Sequence, residues 1–134
     1  MEAVRSFTTF LMCLSVMCYV SDAVDTSMLQ RICNGDHFTQ DTVSFAVEYV
    51  IYEITTNTPN QDGHEYYVDK YLDSDWTIRG HGVCTCTLSA ADCSDCLAEA
   101  AKKLDEECRR SIGAQVQLED CRIRYEKYHF NNDG

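Results

Sequence analysis

The residues best equipped for chemistry in this chain are its nine cysteines. Cys84, Cys86, Cys93 and Cys96 crowd together, Cys33 stands far upstream, and Cys108 and Cys121 follow. Cys13 and Cys18 sit apart in an apolar N-terminal run. Three chemistries suit such a set: thiolate coordination of zinc, thiol redox cycling, and disulfide cross-linking. A structural zinc site normally takes four ligands in two tight pairs. Cys93 and Cys96 form one such pair, but His37, His64, His81 and His129 show no ligand spacing relative to the cysteines. No metal site is expected. A redox role for Cys93-Ser94-Asp95-Cys96 is set aside for the same cysteines acting as structural cross-links.

The compartment favours cross-linking. Arg5 precedes an uncharged apolar stretch from Thr8 to Val20, and Ser21-Asp22-Ala23 supplies small residues where a signal peptidase reads. Residues 1–23 therefore read as a secretory signal cleaved after Ala23. The run is short of the ~20 apolar residues that span a bilayer. Residues 24–134 form one domain, exported to an oxidising space where disulfides persist. Seven cysteines remain there, so three bridges leave one thiol over. Six cysteines allow 15 pairings, and spacing does not choose among them.

Charge narrows the partners. The chain has 11 basic and 22 acidic side chains, a net −11. Loss of Glu2, Arg5 and Asp22 with the leader leaves −10. Such a surface repels phosphate backbones and anionic headgroups, which argues against nucleic acid and direct membrane binding. Neutral sugars are not penalised. No nucleophile elbow, zinc-protease helix motif or glycine-rich phosphate loop appears, so neither an enzyme nor a cofactor is expected.

The elements that must position these residues follow from periodicity. Val43, Val47, Val50 and Ile54 recur at helical spacing, predicting a helix over Asp41–Thr55 with Asp41 as cap. Its β-branched content keeps a strand as the alternative. The polar stretch from Thr56 to Gly63, with the sole proline Pro59, reads as a loop. Glu65–Leu72 and Trp76–Cys86 read as strands around Asp73-Ser74-Asp75. Cys93, Cys96, Leu97, Ala100, Leu104 and Cys108 mark a second helix, capped by Ser89 or Asp92. Gly113 closes that region. Val116 and Leu118 alternate with glutamines, and Cys121, Ile123 and Tyr125 alternate with Arg122, Arg124 and Glu126, which gives two half-buried strands. The expected fold is α+β: two helices packed on one face of a mainly antiparallel sheet of about five strands, with three disulfides.

Two segments carry a resemblance. Cys84-x8-Cys93-x2-Cys96, and Ile112 to Glu126 around Cys121, resemble the plant stress-antifungal domain family, and Cys33-Asn34 is similar to the N-terminal motif of its ginkbilobin-like members. The resemblance spans Cys33 to Phe130. It implies bridges Cys33–Cys108, Cys84–Cys93 and Cys96–Cys121, with Cys86 unmatched, leaving a monomer or a Cys86-linked dimer.

The resemblance also implies a mannose site. In ginkbilobin-like lectins an Asn, an Arg and a Glu bind the sugar, and the corresponding positions here are Asn34, Gln115 and Glu126. Gln115 is the departure. Amides and a carboxylate offer donors and acceptors for vicinal hydroxyls. Arg122 and Arg124 share the Glu126 face and either assist a ligand or neutralise that carboxylate. The implied function is a secreted, apoplastic defence lectin that binds mannose or fungal wall mannan and inhibits fungal growth. The alternative is a protein-interaction module of the same family that has lost sugar binding.

Overall fold

The apolar stripe of the first helix comes out as expected. In the computed structural model, which describes residues 24–128 and 130, helix α1 spans Asp41–Asn57 and buries Val43, Ala46, Val50 and Ile54. Residues 1–23, the expected leader, and its expected cleavage point lie outside the described residues. Asp41 does not cap α1. Gln40 takes that position, and Asp41, in the first turn, pairs with Arg110 at 2.9 Å. The helix also runs to Asn57, so the expected loop is shortened to two 3₁₀ turns, Thr58–Asn60 and Asp62–His64, with Thr58 and Pro59 buried.

Helix α2 spans Ala90–Glu107, and the Ser89 hydroxyl accepts the backbone N–H of Asp92 at 3.0 Å. That bond satisfies one of the orphan donors of the first turn, the usual work of a serine cap. Its buried face carries Cys93, Cys96, Leu97, Ala100 and Leu104.

Among the described residues there are five strands: β1 Met28–Cys33, β2 Glu65–Asp73, β3 Trp76–Cys84, β4 Gly113–Leu118 and β5 Cys121–Glu126. They form one antiparallel sheet in the order β1-β4-β5-β3-β2. Two boundaries differ from expectation. Gly113 opens β4 rather than closing the helical region, and β3 stops at Cys84, leaving Cys86 exposed in the turn beyond it.

Both helices lie on one face of the sheet. Ile78, Val116, Leu118 and Ile123 point into it and are fully buried. Gly80 and Gly82 let α1 come close: a β-carbon at Gly80 would stand 2.9 Å from Ile54 Cδ1, and one at Gly82 2.8 Å from the Thr58 hydroxyl. The three bridges are Cys33–Cys108, Cys84–Cys93 and Cys96–Cys121. Cys84 and Cys121 are register partners across β3 and β5, and each is tied to one of two adjacent cysteines on α2. Helix and sheet are thereby stapled twice at one point. The Cys33–Cys108 bridge closes a loop of 75 residues, and the chain-entropy argument values that closure at about 4 kcal/mol.

Candidate functional site

Among the described residues no helix covers the other face of the sheet, and alternation decides what stands on it. On β4 it carries Gly113, Gln115 and Gln117, and on β5 Arg122, Arg124 and Glu126. Arg79, His81 and Val83 follow on β3, and Tyr67, Asp69 and Tyr71 on β2. The register joins Gly113, Glu126, Arg79 and Asp69 in one row, and Gln115, Arg124, His81 and Tyr67 in the next.

Asn34, Gln115 and Glu126 all arrive at the β1-β4-β5 side of this face. Asn34 directly follows β1, and its backbone N–H donates to the Gly113 carbonyl at 2.9 Å. Its side-chain oxygen accepts the N–H of Asp36 at 2.9 Å, a tight local turn that occupies the oxygen and leaves donation to the amide nitrogen. Glu126 lies across β4. A β-carbon at Gly113 would stand 2.7 Å from the Glu126 carboxyl carbon, so the absent side chain at 113 is what admits the carboxylate over that backbone. Gln115 has its amide 3.5 Å from the Gln30 side-chain oxygen on β1.

A guanidinium is present although position 115 lacks one. Arg124 stands opposite Gln115 in the register, and its Nε donates to Glu126 Oε2 at 3.0 Å. The Glu126 side chain is only 14% exposed. Burial pushes its pKa up, and the bond and charge of Arg124 act the other way. The Phe130 ring lies 4.2 Å from the Arg124 guanidinium as a cation–π partner. The cluster therefore offers one carboxylate, two amides and a guanidinium, grouped to exchange several hydrogen bonds with a polyhydroxylated ligand.

The centre of the face holds a feature that periodicity did not single out. His81 is fully buried although it points away from the helices. The Tyr67 ring covers it at 4.4 Å, and Nε2 lies 2.8 Å from Glu65 Oε2. Desolvation lowers its pKa, the Glu65 hydrogen bond opposes that, and Arg122 and Arg124 lower it further. Among the described residues, no three His, Cys, Asp or Glu side chains come together as a metal site.

The family model for salt stress response/antifungal proteins matches residues 26–128. The chain belongs to this family. An antifungal ginkbilobin-like protein 2 from Picea glauca is 31% identical over 79% of this chain and 80% of its own. A ginkbilobin-like protein 1 from Picea sitchensis is 46% identical over a shorter stretch, 39% of each chain. The tandem DUF26 ectodomain of an Arabidopsis thaliana cysteine-rich receptor-like protein superposes with a TM-score of 0.70 at 19% identity. That match covers 78% of this chain and 51% of the ectodomain. This stress-antifungal domain thus spans about half of that tandem structure. Among the described residues no helix is long and apolar enough to cross a membrane.

Proposed function

We propose that this stress-antifungal domain is a secreted plant defence protein that binds mannose or the mannan of fungal walls and inhibits fungal growth. The observation that carries this reading is the grouping of Asn34, Gln115, Arg124 and Glu126 around the bare backbone of Gly113. The carboxylate accepts from sugar hydroxyls, the Asn34 amide and Arg124 donate, and Gln115 does either. A hydrogen-bonded monosaccharide site of this size binds weakly, about 4 kcal/mol for a millimolar constant. A glycan array on the oxidised, secreted protein tests the reading, with retention on mannan and release by mannose as the expected result. Retention on no mannose-containing glycan contradicts it.

The tandem ectodomain neighbour favours one second reading, an extracellular protein-interaction module without sugar binding. The exposed thiol of Cys86 adds a route to a disulfide-linked dimer beside the monomer. Intact mass of the non-reduced protein separates the two states, and a dimer that persists in Cys86→Ser refutes the linkage.

A further inference from the structure

The sugar cluster occupies one side of the open sheet face, and the same rows continue across it to β2. Glu126 is the register partner of Arg79, and Arg79 that of Asp69. Two strand spacings, about 10 Å, separate Glu126 from Asp69. Tyr67 and Tyr71 flank Asp69 on the same face of β2, 53% and 67% exposed. Their neighbours Tyr66, Val68, Lys70 and Leu72 turn the other way. Tyr66 bonds to Glu53 of α1, Lys70 lies over Tyr49 of α1, and Val68 and Leu72 pack on the core. The alternation therefore delivers two aromatic rings to the open face at the far end of the row that begins at Asn34.

Three features of this face select its occupant. Charge is balanced there: Glu65, Asp69 and Glu126 stand among Arg79, Arg122 and Arg124. The protein as a whole is strongly acidic, so a balanced face suits a neutral ligand better than an ionic one. Polar groups run along it from Asn34 and Glu126 through Arg79 and Asp69, and the rings of Tyr67 and Tyr71 stand at its far end. A chain of pyranoses matches that order, because a C–H face packs on an aromatic ring while hydroxyls reach polar neighbours. Finally, Tyr67 is braced from beneath by His81, whose Nε2 is held by Glu65, so the platform is ordered before any ligand arrives.

We propose that the Asn34–Glu126 cluster is one end of an extended site for a neutral oligosaccharide, in which Tyr67 and Tyr71 stack hexose units beyond the first. The inference rests on the sugar-binding reading and deepens it: the natural ligand is a chain of hexoses, and a single hexose fills only the β1-β4-β5 end.

The test is calorimetric titration of the oxidised protein with mannose and with mannotetraose. Mannotetraose should bind at least about tenfold more tightly, since each stacked ring adds a contact comparable to an aromatic pair. Tyr71→Ala should lose about fivefold for mannotetraose and nothing for mannose, whereas Tyr71→Phe, which keeps the ring, should bind both as the parent does. Tyr52→Ala, which removes an equally exposed tyrosine on α1, should change neither. Melting temperatures of the variants confirm that each is folded. Equal affinity for the two sugars, or a Tyr71→Ala protein that binds mannotetraose normally, overturns the extended site. If Glu126→Gln abolishes mannose binding while Tyr71→Ala has no effect, only the extension falls. If Glu126→Gln leaves mannose binding intact, or neither sugar binds, the cluster itself and the extension fall together.

Discussion

Glu126 lies against the bare α-carbon of Gly113, its register partner on β4, with its carboxyl carbon 2.7 Å from where a β-carbon would stand. Glycine serves here as space, and the space is filled by the carboxylate. The same glycine carbonyl holds the backbone of Asn34. One residue without a side chain therefore sets the separation of two proposed ligand contacts.

Gly113→Ala tests this arrangement. The obstructed group is the end of a flexible side chain, so the new methyl displaces the carboxylate and the backbone need not shift. The expected result is a stability change below about 1 kcal/mol with loss of mannose binding. Thermal unfolding and calorimetric titration read the two effects separately. A large loss of stability, or unchanged binding, contradicts the assignment.

Arg124 and Gln115 face each other across β5 and β4, and only Arg124 pairs with Glu126. Arg124→Gln should weaken mannose binding about tenfold, because a charge-assisted hydrogen bond contributes roughly 1.5–3 kcal/mol against about 1 for a neutral one. Exchanging the two residues, Arg124→Gln with Gln115→Arg, returns one guanidinium to the same cross-strand pair and should restore most of the affinity. Gln115→Arg alone sets like charges opposite each other and should cost stability. No recovery in the exchanged protein means that the guanidinium is not a ligand contact.

His81 gives the fold a pH dependence of defined sign. Its pKa lies below the ordinary 6.5, with desolvation the leading cause. The unfolded chain therefore takes up this proton more readily than the folded one. Stability is full above pH 6.5 and falls as pH drops through the folded value. Glu126, with its pKa raised from the ordinary 4.5, acts in the opposite direction closer to its own titration. His81→Gln should flatten the loss of melting temperature below pH 6.5. An unchanged slope in that variant assigns the acid sensitivity elsewhere.

Much of this was legible in the sequence, and each failure has a physical reason. Val43, Val50 and Ile54 marked α1 because its core stripe is unbroken, and Cys121, Ile123 and Tyr125 marked β5 because one of its faces stays wet. Strand β1 was not located: Met28, Leu29 and Ile32 are all exposed on this edge strand, so no alternation betrays it. Asp41 read as a cap, but its carboxylate meets Arg110, a partner 69 residues away. Asn34, Gln115 and Glu126 came from motif resemblance. The pairing of Arg124 with Glu126 and the role of Gly113 depend on cross-strand register, which local periodicity does not specify.

Mannose binding through Glu126 is the central claim, and titration of the parent protein beside Glu126→Gln is its most direct test. The substitution keeps the side chain's length and replaces the carboxylate with an amide. The parent should bind mannose in the millimolar range, about 4 kcal/mol. Its affinity should fall on acidification with a midpoint above the ordinary glutamate value of 4.5, because burial raises the pKa of Glu126. Glu126→Gln should bind at least about tenfold more weakly, since it loses a charge-assisted hydrogen bond, and should show no acid dependence in that range. Equal affinities and the same pH profile in both proteins would contradict the account.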